Sequence, residues 1–171
     1  MTEDKRNAPS SPAPSRLPRL GPRGEGWVVA QAVLLTVIVV AGLTGARWPA
    51  GTSIPRAVWA LPTAVFGGYL FLAGGGTLGR QLTPFPKPVE DGALRQNGPY
   101  GMVRHPIYGG VLLLAFAWAL LTSALALLPW VATVAFFDTK RRREEAWLLE
   151  AHPAYAQYRE AVRRAFLPYV W

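Results

Sequence analysis

The sequence has no cysteine and only two histidines among its 171 residues. The absence of cysteine excludes disulfide bonds, thiolate metal sites and a cysteine nucleophile. The histidines, His105 and His152, belong to no His-x-x-x-His pair, so we expect no zinc or iron site. The glycine-rich run at 74–80 lacks the Lys-Ser/Thr ending of a phosphate loop. These absences remove the commonest metal-dependent and nucleotide-hydrolysing classes of enzyme.

Charged side chains are missing from several long stretches, the longest being 107–137. About 20 apolar residues are needed to cross a bilayer as a helix. We therefore predict an all-α, multi-pass integral membrane protein with about four transmembrane helices, at residues 27–45, 57–75, 107–121 and 124–138. In the second of these, the small residues Ala64, Gly67 and Gly68 predict close approach of another helix.

The rest of the chain is organised around these spans. Residues 1–26 are rich in Pro, Ser and Arg and have no apolar period, which predicts a disordered N-terminal tail. Residues 27–171 are interpreted as a single membrane domain. A loop at 76–104 is much longer than the about 4 to 6 residues of a simple connection, which is typical of functional loops. The segment 144–171 predicts a C-terminal amphipathic helix interrupted at Pro153.

The charge distribution predicts the orientation of the chain. In a soluble protein the net charge of +8 would raise nucleic acid as a partner. Here 16 of the 18 Lys and Arg lie in the tail, the long loop and the C-terminal segment, and the other two are Arg47 and Arg56. By the positive-inside rule both termini are cytosolic. We expect membrane lipids and not nucleic acid as partners, and the abundance of Arg, Ala, Gly and Pro favours a bacterial plasma membrane.

Two polar clusters flank the charge-free stretch, one at 97–110 and one at 141–145. If the chain turns back at Thr122 and Ser123, the clusters meet at one membrane face. Arg104 and His105 alone would be read as an interfacial anchor, and Glu144 and Glu145 alone as helix-surface charges. Their convergence instead favours a functional site, with His105 at a helix start that suits an anionic group.

The residues that carry a family resemblance are GPYGMVRHPIYGG at 98–110, the pair Glu144 and Glu145, and the motif residues that follow them, Tyr155, Tyr158 and Pro168. This combination resembles the isoprenylcysteine carboxyl methyltransferase and phospholipid methyltransferase superfamily over residues 78–169. The resemblance implies a helical membrane enzyme with a cytosolic pocket for S-adenosylmethionine. It also implies methylation of a lipophilic acceptor, either the carboxylate of an isoprenylcysteine-like compound or a lipid amine.

The resemblance assigns site residues as well. The cofactor pocket would be formed by Leu94, Arg95, Tyr100, His105, Pro106, Tyr108, Glu144 and Glu145. A basic residue implicated with the acceptor would fall on Lys140 or Arg141, and we name Arg141 with Arg104 as the catalytic pair. Arg104 is expected to face the acceptor and His105 the cofactor, because consecutive residues at a helix start point about 100° apart. Arg95 and the Ala-His-Pro at 151–153 depart from the family pattern.

Two other functions fit parts of the sequence. Membrane sterol-type reductases, which use NADPH, resemble the same hairpin architecture. Ile107 with Gly109, the paired glutamates and the paired tyrosines favour methyl transfer over that alternative. A non-enzymatic membrane interaction protein would explain the small residues of the second span, but it leaves the polar clusters unexplained. The sequence leaves the oligomeric state and the role of His152 open.

Overall fold

A computed structural model describes residues 18, 20–88 and 92–168, and within these ranges the fold is all-α, as predicted. Its α-helices are α1 (Glu25–Thr44), α2 (Ser53–Leu78), α3 (Pro106–Leu121), α4 (Leu127–Ala151) and α5 (Tyr155–Ala161). Short 3₁₀ turns precede α3 and α4. Residues 1–17 of the predicted tail lie outside the described residues, and α1 begins inside the predicted tail, at Glu25.

Two of the helices are long and apolar enough to cross a membrane, namely α1 and α2. Their bounds agree with the first two predicted spans to within four residues at each end. Helix α3 has only 16 residues. Helix α4 has 25 residues but carries charged side chains from Asp138 onward, so its apolar part is short as well. By length and composition alone, α3 and α4 do not qualify as spans.

Helices α2 and α3 pack against each other more extensively than any other pair in the described chain. Glycines on both helices make this close approach possible. A methyl group on Gly110 would lie 2.7 Å from the carbonyl oxygen of Gly67. The prediction that small residues of the second span receive a neighbouring helix is therefore met at Gly67, whereas Gly68 faces open space.

The predicted reversal at Thr122 and Ser123 is present, because α3 ends at Leu121 and Ser123 caps the following turn. At this end of the bundle, one side chain from the first turn of α2 and one from the α1–α2 connection bind the last carbonyls of α3. Arg56 Nη1 donates to the carbonyl oxygen of Leu120 at 2.6 Å, and Trp48 Nε1 donates to that of Ala119 at 3.0 Å. These bonds satisfy carbonyls that a helix end leaves without partners.

The C-terminal segment differs from the predicted amphipathic helix. Helix α4 ends at Ala151, α5 has seven residues, and the chain from Val162 to Pro168 is not helical. Tyr155, Tyr158 and Phe166 are buried in the protein instead of facing lipid. Aromatic residues alternating with charged ones are typical of a helix at the bilayer surface. They are equally typical of a segment packed against the rest of the protein, so the sequence pattern does not distinguish the two.

We predict that Gly109→Ala destabilises the fold, because its methyl group would lie 2.2 Å from the backbone oxygen of Phe166. Overpacking of this kind typically costs about 1–3 kcal/mol. The matched control is Gly68→Ala, where no heavy atom lies within 4 Å of the added methyl group. It should unfold no earlier than the parent, since alanine favours helix by up to about 1 kcal/mol. Thermal unfolding in detergent measures both, and equal midpoints for the two variants would contradict the packing.

Candidate active site

The start of α3 is held in place by the C-terminal segment. The backbone N–H of Arg104 donates to the carbonyl of Arg164 at 3.0 Å, and that of His105 donates to Ala165 at 2.8 Å. Pro106 then occupies the first helical position, where its fixed φ is favourable and a missing N–H costs nothing. Two consecutive residues are thus fixed by backbone bonds before the helix begins.

The side chains of Arg104 and His105 converge on one carboxylate. Arg104 Nε donates to Glu145 Oε1 at 2.9 Å, and His105 Nε2 lies 3.1 Å from the same oxygen. Arg104 Nη1 also donates to the carbonyls of Val162 and Arg163, at 2.8 and 2.7 Å. Arg104, His105 and Glu145 are all buried, so this network joins α3, α4 and the C-terminal segment in the interior.

This convergence corrects the expectation that Arg104 and His105 point about 100° apart. That angle applies to residues with helical backbone angles. His105 has φ −128° and ψ 62°, because it precedes the helix as its N-cap residue. The two side chains therefore turn toward the same oxygen, and Arg104 is engaged with Glu145 and backbone carbonyls.

Glu145 remains ionised in this network. Burial alone would raise the pKa of its carboxyl, but the hydrogen bond and charge of His105, with the charge of Arg104, outweigh burial and lower that pKa to about 2. An ionised carboxylate accepts hydrogen bonds and does not donate them, so His105 Nε2 is the donor. The other ring nitrogen, Nδ1, lies 3.8 Å from Glu144 Oε2.

A cavity of about 560 Å³ adjoins this network. Seven of the ten predicted site residues line it, namely Leu94, Arg95, Tyr100, Arg104, His105, Tyr108 and Glu144. Pro106, Arg141 and Glu145 do not. Apolar walls are supplied by α2 and α3, with Phe71, Ile107 and Val111 among them. The cavity thus combines charged and aromatic groups with an apolar side, as ligand sites commonly do.

Arg141 lies outside the cavity, although the sequence named it as a catalytic residue. Its guanidinium pairs with Asp138 at 2.6 Å, lies 3.6 Å from Glu145, and covers the ring of Phe166. The preceding residue, Lys140, lines the cavity instead. The resemblance left open whether Lys140 or Arg141 is the basic residue at the acceptor, and of these two the structure places only Lys140 at the cavity. Arg141 occupies a position from which it supports Glu145.

Every fourth residue from 140 to 152 lines the cavity, with Lys140, Glu144 and Leu148 on one face of α4 and His152 directly after the helix ends. Positions four apart share a helix face, so this set spans about 18 Å along the axis at a rise of ~1.5 Å per residue. His152, whose role the sequence left open, lies at one end and Lys140 at the other. We call these the His152 end and the Lys140 end.

Lys140 is a buried cation whose hydrogen-bond partners are neutral. Its Nζ donates to Gln31 Oε1 at 2.7 Å and to the carbonyl of Pro84 at 3.4 Å. It also lies 5.0 Å from the ring centre of Tyr108. In the described chain no carboxylate lies within 4.0 Å of this ammonium. Gln31 was missed from the sequence because a single polar residue in a span has no distinguishing pattern.

Among the residues that the structure describes, Glu144 is the carboxylate that faces the cavity. Its Oε2 accepts a hydrogen bond of 2.6 Å from the Tyr108 hydroxyl. The Tyr108 ring stacks on His105 with their centres 5.4 Å apart and an angle of 7° between them. Tyr100 lies nearby, and burial first, then the charge of Glu144, raises the pKa of its phenol. A carboxylate bordered by aromatic faces suits a cationic ligand group.

The fold and this cavity together have the form of a helical membrane enzyme, with membrane-length apolar helices and a polar site at one end of the bundle. A family model described as phospholipid methyltransferase matches residues 55–154. The chain belongs to that family, whose members are membrane-embedded methyltransferases acting on lipid-like substrates. A search of curated proteins finds no significant match. Helix α1, which contributes Gln31, lies outside the matched segment.

Proposed function

We propose that this protein transfers a methyl group from S-adenosylmethionine to a lipophilic acceptor inside the cavity. The observation that carries the proposal is the cavity face of α4, where Glu144 and Lys140 lie one turn apart with opposite charges. His105, directly before α3, and Tyr108 of α3 contact Glu144, and apolar residues of α2 and α3 complete the walls. This arrangement provides separate places for a cationic ligand and an anionic amphiphile.

The residues present fit S-adenosylmethionine, which carries an ammonium, a sulfonium, a carboxylate and a nucleoside. A volume of about 560 Å³ lies within the range of roughly 300–1,000 Å³ typical of small-molecule pockets. Glu144 would hold the ammonium or a ribose hydroxyl through charge-assisted hydrogen bonds. Tyr100 and Tyr108 would face the sulfonium with their rings. Glu145, which the sequence placed in this role, is engaged by Arg104 and His105, so we assign it to positioning His105.

The acceptor belongs at the Lys140 end. A buried ammonium with only neutral partners stabilises an anionic group brought beside it, because Coulomb attraction is stronger where water is excluded. Phe71 and Val111 line the same cavity with apolar side chains that suit an acyl or prenyl chain. Of the two acceptor classes raised by the sequence, the isoprenylcysteine-like compound carries such an anion in its carboxylate, and a lipid amine carries one where its headgroup includes a phosphate.

The chemistry that S-adenosylmethionine supplies when bound is an electrophilic methyl group on sulfur, which a nucleophile displaces in line. The protein's residues then have to position the acceptor and exclude water. A carboxylate acceptor is already nucleophilic at neutral pH. An ammonium acceptor has to lose a proton first, and Glu144 is a carboxylate at the cavity wall that can accept it.

We also propose that four helices, α1 to α4, cross or enter the membrane, with the cavity and both ends of the chain on the cytosolic side. The support is the charge count, with 16 of 18 cations on that side. Because the chain has no cysteine, single cysteines report topology directly. A cysteine at Ser53 in intact cells should react with an impermeant maleimide and one at Ser10 should not. The reverse pattern would contradict the orientation.

Calorimetry with the purified protein tests the proposed cofactor. We expect saturable binding of S-adenosylmethionine and no comparable binding of NADPH. Glu144→Gln should weaken the binding by about tenfold or more, since a hydrogen bond to a charged group is worth about 1.5–3 kcal/mol. Tight NADPH binding with none of S-adenosylmethionine would instead support the reductase alternative and reject our proposal.

A further inference from the structure

Tyr155 carries a buried hydroxyl without a hydrogen-bond partner. The residue is 1% exposed, and its Oη has no partner in the part of the chain that the structure describes. Burying a hydroxyl without a partner costs free energy, which is why such groups are rare in folded proteins. For an orphaned hydroxyl at a cavity wall, a molecule bound in the cavity can supply the missing partner.

Tyr155 does line the cavity, close to the His152 end. Its backbone N–H is bonded to the carbonyl of His152 at 2.9 Å, which fixes the start of α5 against the end of α4. Two indole nitrogens, those of Trp27 and Trp118, are also buried without partners, but neither residue lines the cavity. Tyr155 thus combines the orphaned polar atom with a place at the site.

Two neighbouring phenols in the cavity, those of Tyr158 and Tyr108, already have acceptors in the protein. Tyr158 donates to the carbonyl of Tyr100 at 2.7 Å, and Tyr108 donates to Glu144 at 2.6 Å. The ring of Tyr155 lies 5.7 Å from that of Tyr158, at an angle of 62°. Burial first, then the charge of Glu145, raises the pKa of the Tyr155 phenol, so its hydroxyl keeps a proton to donate. Tyr155 differs from these two neighbours only in having no acceptor.

We propose that the Tyr155 hydroxyl is a binding residue that donates a hydrogen bond to the methyl donor in this cavity. The inference rests on the proposed function, since it takes the ligand to be S-adenosylmethionine. The oxygens and ring nitrogens of that molecule supply the missing acceptor. Tyr155 also follows the segment matched by the family model, so the binding site includes a residue of the C-terminal region.

The test compares Tyr155→Phe with the parent by calorimetry, using S-adenosylhomocysteine as the probe. We expect the dissociation constant to rise about tenfold. The thermal unfolding midpoint of the ligand-free variant should be unchanged or higher, because only an unpaired hydroxyl is removed. Methylthioadenosine, which lacks the amino acid, locates the acceptor atom. If Tyr155→Phe lowers the affinity for both probes, the acceptor atom lies on the nucleoside. If it lowers the affinity for S-adenosylhomocysteine alone, the acceptor atom lies on the amino acid part.

Tyr158→Phe is the matched control, because its hydroxyl already has a partner in the protein. It should lower the midpoint of the ligand-free protein. If Tyr155→Phe binds the probe as tightly as the parent, or fails to fold, or loses ligand-free stability as Tyr158→Phe does, the inference is overturned. A parent that binds neither probe overturns the proposed function itself, which separates the two failures.

Discussion

Arg104→Ala should destabilise the protein by about 3–5 kcal/mol, the scale seen when one partner of a buried ion pair is removed. The change leaves Glu145 buried with its other partners, and it frees the carbonyls of Val162 and Arg163. We expect weaker ligand binding as well, because the C-terminal segment that carries Tyr155 loses these bonds. Unfolding in detergent at pH 7, followed by circular dichroism, measures the effect.

Arg95→Ala is the control for Arg104→Ala, since Arg95 lines the same cavity but is exposed. It should leave the unfolding midpoint nearly unchanged.

The stabilising effect of Arg104 also depends on pH through Glu145, whose pKa is lowered to about 2 from an ordinary 4.5. A lowered pKa contributes stability that is complete above about pH 4.5 and is lost as pH falls through about 2. Equal stability of Arg104→Ala and parent at pH 7 would contradict the network.

Lys140→Met should reduce methyl transfer by roughly 100-fold while leaving S-adenosylmethionine affinity within about threefold. The reason is that Lys140 positions the anion of the acceptor, and loss of a positioning contact costs about this much in rate. Methionine has a similar shape and no charge. The ligand-free variant should be about as stable as the parent, because the cost of burying the ammonium is removed together with its hydrogen bonds to Gln31 and Pro84.

Arg142→Met serves as the control for Lys140→Met, because the Arg142 side chain is 62% exposed and does not line the cavity. It should leave both transfer and cofactor affinity near the parent values. Gln31→Leu should also reduce methyl transfer and spare cofactor affinity, but the loss of rate should be smaller than with Lys140→Met. The reason is that this change removes one hydrogen-bond partner of the Lys140 ammonium and leaves its charge. If Lys140→Met loses cofactor affinity in proportion to its activity, Lys140 belongs to the cofactor and our division of the cavity is wrong.

The meeting of the two polar clusters was predictable because it depends on a simple pattern. The charge-free stretch at 107–137 can fold back only near its middle, where Thr122 and Ser123 interrupt the apolar run. Helix α3 and the part of α4 that precedes the glutamates have similar lengths, so α4 brings Glu144 and Glu145 back to His105. The contact of His105 Nε2 with Glu145 Oε1, at 3.1 Å, confirms this part of the prediction.

Which glutamate faces the cavity was not predictable, because adjacent residues on a helix differ by 100° and the rotation of α4 is set by packing. The sequence assigned both glutamates to the cofactor pocket, whereas the structure turns Glu144 to the cavity and Glu145 to Arg104. The same rotation of α4 turns Lys140 toward the cavity and Arg141 away from it. The backbone conformation at Arg104 and His105 was equally hidden, since it is fixed by bonds from Arg104 to Arg164 and from His105 to Ala165, about 60 residues away in the chain.

The most direct test of the central claim is transfer of a labelled methyl group. Purified protein is incubated in vesicles made from a bacterial lipid extract with S-adenosylmethionine carrying a deuterated methyl group, and the lipids are analysed by mass spectrometry. We predict a lipid bearing an anionic group that gains the mass of one labelled methyl, and a signal reduced by roughly 100-fold with Lys140→Met. Absence of labelled lipid with the folded parent, while NADPH reduces a lipid in the same vesicles, would contradict the account.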